Sequence, residues 1–106
     1  MKKETIDTVL RFTADRDWSQ FHTPANLAKS ISIEANELLE CFQWSDTDYD
    51  ISAVQEELAD VLAYCIDMAD VLHLDMDQII LDKMKKNALK YPVEKSKGKS
   101  DKYTQL

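Results

Sequence analysis

Four carboxylates stand in two pairs, each three residues apart: Glu34 with Glu37 in IEANELLECFQW, and Glu57 with Asp60 in QEELADVLAY. Residues at that spacing are neighbours on a helix, so each pair presents one cluster of oxygens. Four such groups converging without cations would repel, and burying each of them unpaired costs on the order of several kcal/mol. No lysine or arginine on these two segments is spaced to compensate them. A divalent cation would, and a set of oxygen ligands alone selects Mg²⁺, with Mn²⁺ as substitute, over zinc.

The elements that must position these groups are helices. One glycine, two prolines and a predominance of Leu, Ala, Glu, Asp, Lys and Met leave little turn chemistry for sheets. The periodicity predicts a first helix over about 3–15 and a second that opens with Thr23 as cap and Pro24 at its first position and runs to about Phe42. The polar run QWSDTDYD ends it. A third helix is expected over about 51–72, and a fourth from Asp75, paired with Gln78 in capping-box form, to Tyr91 before Pro92. Short connections imply antiparallel neighbours, hence an all-α four-helix bundle over residues 1–92, followed by a basic tail over 93–106.

Helical phase then sorts the acidic residues. At about 100° per residue from Leu27, Glu34 falls near −20°, inside the stripe of Leu27, Ile31, Leu38 and Phe42, and Glu37 lies at its edge, while Glu40 faces water. On the third helix, Glu57 and Tyr64 flank the stripe of Val54, Leu58, Val61, Cys65, Met68 and Leu72, and Asp60 lies just outside it. Glu56, Asp67 and Asp70 are expected on the solvent side. On the fourth helix Lys83 and Asn87 join the apolar face; they read as a phosphate ligand and a base or sugar contact, or as a snorkelling lysine and a satisfied amide. Trp18, Phe21 and His22 precede the second helix and Trp44 follows it. Such aromatic groups pack cores, and they also give a nucleobase a face to stack on.

A net charge of −7 argues against duplex nucleic acid as partner, because affinity there comes from cationic neutralisation of phosphates. No apolar run approaches the ~20 residues that span a bilayer, and MKKETIDTV has no apolar signal core, so a cytoplasmic protein is expected. Cys41 and Cys65 lack metal or redox spacing and read as reduced thiols in apolar surroundings. The lysines at 90, 95, 97, 99 and 102 read as a solvated tail, or as one that closes over an anionic ligand.

The stretches RDWSQFHTPANL (16–27), EANELLECFQW (34–44), QEELADVLAY (55–64), KMKKNALKYP (83–92) and SDKY (100–103) resemble the MazG-like, all-α nucleoside triphosphate pyrophosphohydrolases, and within them the dCTP pyrophosphatase branch. Ile33 stands where the general pattern often opens with a second glutamate, as in that branch, and Val9 where a relative's first helix can place a histidine. The resemblance implies an interlocked homodimer or homotetramer, Mg²⁺ held by Glu34, Glu37, Glu57 and Asp60, and hydrolysis of a (d)NTP such as dCTP to the monophosphate and pyrophosphate. It places Trp18, Trp44, Tyr64, Lys83 and Asn87 around the nucleotide, with His22 beside them. Glu37 is the candidate base for the attacking water. Two other classes fit less: an acidic helical adaptor without catalysis, and a di-iron carboxylate bundle, whose Glu-x-x-His pairs have only Asp70 to His73 as a near match.

Overall fold

The computed structural model describes residues 1–106. Every element is helical: α1 (Lys3–Asp15), a 3₁₀ turn (Trp18–Phe21), α2 (Pro24–Glu40), α3 (Ile51–Val71), α4 (Met76–Lys90), a one-turn α5 (Val93–Ser96) and a last 3₁₀ turn (Tyr103–Gln105). The chain divides into two compact units, Met1–Leu74 and Asp75–Leu106. No helix is long and apolar enough to cross a membrane.

The first unit is built on α3, which packs chiefly along α2 and also against α1. Each helix starts where its cap dictates. Thr23 Oγ1 accepts from the Asn26 amide at 3.1 Å with Pro24 behind it, and Asp50 Oδ1 accepts from the Ser52 amide at 2.9 Å. Between α2 and α3, the Ser45 hydroxyl accepts from the Thr47 and Asp48 amides, and Phe42 packs on Tyr49 at 4.8 Å between ring centres. The end of α3 is a Schellman turn: the Leu74 amide donates to Ala69 O at 2.8 Å and the His73 amide to Asp70 O at 3.1 Å. That turn requires a left-handed residue, and His73 takes it at φ 55°.

Burial on α2 follows the expected stripe. Leu27 is 1% exposed, and Ile31, Glu34 and Leu38 are half-buried, so the carboxylate does share the apolar face. On α3 the single-stripe reading holds only in part. Val61, Cys65 and Met68 are half-buried, but Leu58 and Leu72 are each 44% exposed, and the deepest positions are Ile66, Asp67 and Ala69. Asp67 therefore corrects the sequence expectation: it is 6% exposed, not solvated. The cause is that α3 has neighbours on two flanks, α2 and α1. Thr13 of α1, 7% exposed, comes to rest against Asp67 and donates its hydroxyl to Oδ1 at 3.2 Å. Glu40, Glu56 and Asp70 are at the surface as predicted, and Cys41 and Cys65 are free thiols, both half-buried.

In the second unit, Asp75 caps α4 by accepting from the Gln78 amide at 3.0 Å. The reciprocal half of the capping box is absent, because the Gln78 side chain donates forward to Asp82 Oδ1 at 2.8 Å. α4 stops at Lys90, before Pro92. The tail lysines are exposed, yet the tail is not featureless: Tyr103 returns to Tyr91 at 6.0 Å between ring centres, with Lys90 Nζ 5.0 Å above its face.

The left-handed position at the end of α3 makes a testable stability difference. Replacing His73 by glycine removes the steric penalty of a Cβ at φ 55° and should raise the unfolding free energy by about 0.5–1 kcal/mol, read as a higher denaturant midpoint with unchanged slope.

Candidate active site

Helix α2 delivers Glu34 and Glu37, one turn apart, and α3 delivers Glu57 to the same place. One oxygen from each of these three carboxylates lies within 4.8 Å of the others. The spacing predicted from sequence thus converges across the α2/α3 seam. Asp60, one turn beyond Glu57, stands apart from this triad on the wall of the adjoining cavity, where it is exposed. Its charge still acts on both Glu34 and Glu57.

The seam is electrostatically unsatisfied. Glu34 Oε2 and Glu57 Oε2 are sealed from solvent and have no hydrogen-bond partner. Ionised carboxylates are acceptors only, so neighbours can bond to one another only when one holds a proton. Glu34 is accordingly pushed up to about 7, first by burial, then by a shared proton and charge from Glu37, and by the charges of Asp60 and Glu57. Glu57 moves the same way, led by its shared proton with Glu37 and followed by burial and the charges around it. Either protons or a cation must neutralise this group. The orphaned oxygens and the donor set of carboxylates suit a hard divalent ion.

Beside the acidic seam is a cavity of about 300 Å³ lined by α1, the 3₁₀ turn and α3. Phe12 and Trp18 meet edge to face at 5.6 Å, and His22 meets Tyr64 in the same manner at 6.4 Å. Arg16 lies over the Phe12 ring at 3.6 Å and donates to the Phe12 carbonyl, which holds that ring in place. Burial and the negative charges of Glu34 and Asp60 raise the Tyr64 phenol above its usual range, so its O–H stays a donor at neutral pH. The cavity thus carries aromatic rings and, in Asp60, a carboxylate one helical turn from Glu57 of the triad.

Of the residues singled out in the sequence, Trp18, His22, Tyr64 and Asp60 line this cavity, and Glu34, Glu37 and Glu57 form the triad. Trp44 does not line it; its ring is 89% exposed. Lys83 and Asn87 stand on α4 in the second unit, the lysine exposed and the amide half-buried with its nitrogen 3.7 Å from Met84 Sδ. The cavity adds Thr8, Phe12, Thr13 and Asp67. Thr13 and Asp67 are 54 residues apart, so no local spacing marks them.

The model of the MazG-like family matches residues 29–106. The chain is 44% identical over 104 residues to dCTP pyrophosphatase 1 of Mus musculus and 38% identical to that of Homo sapiens, in each case over 90% of this chain and 61% of the relative. It therefore spans about three-fifths of those proteins' length. Among solved structures, a pyrophosphatase from Archaeoglobus fulgidus superposes with a TM-score of 0.79 at 41% identity, covering 85% of this chain and 91% of the other.

The carboxylate seam predicts an unusual pH response. Glu34 binds its proton more tightly folded, at about 7, than at its ordinary 4.5. Its contribution to stability is therefore full below about pH 4.5 and is lost as pH rises through 7, and Glu57 acts in the same direction. Metal-free protein should melt at a lower temperature at pH 8 than at pH 6. Millimolar Mg²⁺ should raise the melting temperature at pH 8 and much less at pH 5, where protons compete for the same oxygens.

Proposed function

The chain belongs to the MazG-like family, and on that premise we propose that it is a metal-dependent nucleoside triphosphate pyrophosphohydrolase, cleaving dCTP or a related deoxynucleotide to its monophosphate and pyrophosphate. One observation carries the proposal: two sealed carboxylate oxygens without partners, on a three-carboxylate seam that adjoins an aromatic cavity of about 300 Å³. The names of the relatives, dCTP pyrophosphatase 1, and the pyrophosphatase from Archaeoglobus fulgidus support the substrate class.

In this reading Glu34, Glu37, Glu57 and Asp60 would hold Mg²⁺. When bound, the ion supplies charge neutralisation for the phosphate oxygens and lowers the pKa of water. The chain's own groups do the rest. Trp18, His22 and Tyr64 fix the base in the cavity, which sets the phosphates over the seam and converts an encounter into a held geometry. Glu37, flanked by both other glutamates, accepts the proton of the attacking water, and pyrophosphate departs. For Trp44, Lys83 and Asn87 a role at the nucleotide rests on the resemblance.

Self-association belongs to the same proposal. Leu39, Ile33 and Trp44 of the first unit are 65%, 58% and 89% exposed, and only Leu27, Ile66 and Ala69 form its fully buried apolar core. So much uncovered apolar surface on so thin a core supports a homodimer or homotetramer.

Glu34→Gln tests the assignment because the amide keeps the shape and removes the charge. Pyrophosphate release from dCTP with Mg²⁺ should fall by about a hundredfold or more. Far-UV circular dichroism should be unchanged, and the decline in stability of the metal-free variant toward pH 8 should shrink to the part that Glu57 contributes. Wild-type rates in this variant would contradict the site.

A further inference from the structure

The mechanism above uses the carboxylate seam and the aromatic faces, and leaves Asp67 unexplained. This side chain is 6% exposed, and the only hydrogen bond it makes is the one its Oδ1 accepts from Thr13. Its other oxygen is not among the sealed atoms without partners, and the side chain lines the aromatic cavity as well as a second, smaller one. A buried carboxyl with one unused acceptor facing an aromatic cavity is costly unless a donor arrives there.

Its neighbours sharpen what that donor is. Thr13 has committed its hydroxyl proton to Asp67, and Thr8 has committed its own to the Glu4 carbonyl at 2.7 Å. Both threonine oxygens therefore present lone pairs, and this wall of the cavity is all acceptor. The donors around it are the Tyr64 hydroxyl, the Trp18 indole and the His22 ring, and His22 also acts on the Asp67 carboxyl by its charge. A second cavity of about 240 Å³ shares Thr13, His22 and Asp67 with the first.

We propose that Asp67, set by Thr13, is the base-selecting residue: its open oxygen accepts from the exocyclic amino group of a 4-aminopyrimidine, so cytosine is held and a 4-oxo base is refused. The two bases differ at that one edge, an amino donor in cytosine against a carbonyl acceptor in uracil and thymine. A carbonyl turned toward Asp67 would set acceptor against acceptor, and a site built for an N–H discriminates strongly against its absence. The stacking faces of Trp18, Tyr64 and His22 fit any base and cannot make this distinction.

The inference rests on the pyrophosphohydrolase reading, and its test separates the two. Pyrophosphate release with Mg²⁺ is compared for dCTP, dUTP and the triphosphate of the 4-deamino base 2-pyrimidinone, in wild type and Asp67→Asn. Wild type should favour dCTP over both analogues by about a hundredfold or more in kcat/KM. In Asp67→Asn, whose amide can also donate, that preference should shrink by about tenfold or more while kcat/KM for dUTP does not fall. Equal losses on all three substrates would make Asp67 structural and overturn the proposal. So would wild-type preference within about threefold, which needs no variant to fold. If wild type turns over no nucleotide, the parent reading fails. Metal-free calorimetric binding of dCMP against dUMP then decides the inference alone: selective binding lost in Asp67→Asn upholds it, and equal binding ends it.

Discussion

Three glutamates in one half-buried seam are the constraint from which the rest of this structure follows. Glu34 occupies a position that leucine would fill by helical phase, and Glu57 meets it from α3 with an oxygen equally sealed. Such an arrangement destabilises the bare chain above pH 7, since each carboxylate raises its neighbours' hold on protons. It is tolerated because the seam runs between two long helices whose caps and contacts elsewhere fix their register. The proposed function draws on this strain, because a group that cannot stay ionised alone suits a cation.

Around that seam the molecule separates two kinds of surface. Negative charge gathers on the α2/α3 carboxylates, and aromatic rings line the cavity that α1 and the 3₁₀ turn close over α3. Asp60 and Tyr64 are one helical turn apart on α3 and link the two, the first by the charge it exerts on Glu34 and Glu57 and the second by keeping its phenol in the field of Glu34 and Glu37. α3 is therefore the common element, and its two flanks carry different chemistry.

This double role decides what sequence can and cannot reveal. Thr23 with Pro24, and Asp75 with Gln78, marked two helix starts because a cap is a local device. The Glu34 misfit was legible because α2 follows one apolar stripe. Asp67 was not: on a wheel centred on the Val54 stripe it points away, and only packing of α1 on the other flank buries it. Nor does any spacing connect it with Thr13. His73 in the left-handed position was equally hidden, since glycine is the usual signal there and the chain's one glycine is Gly98.

The central claim is that the seam exchanges protons for a divalent ion, and calorimetric titration with Mn²⁺ near pH 6.5 measures this most directly. Run in two buffers of different ionisation enthalpy, the observed heats should differ, because Glu34, which titrates at about 7, gives up its proton as the ion binds. Heats that are identical in both buffers, or no binding at millimolar Mn²⁺, would contradict the account.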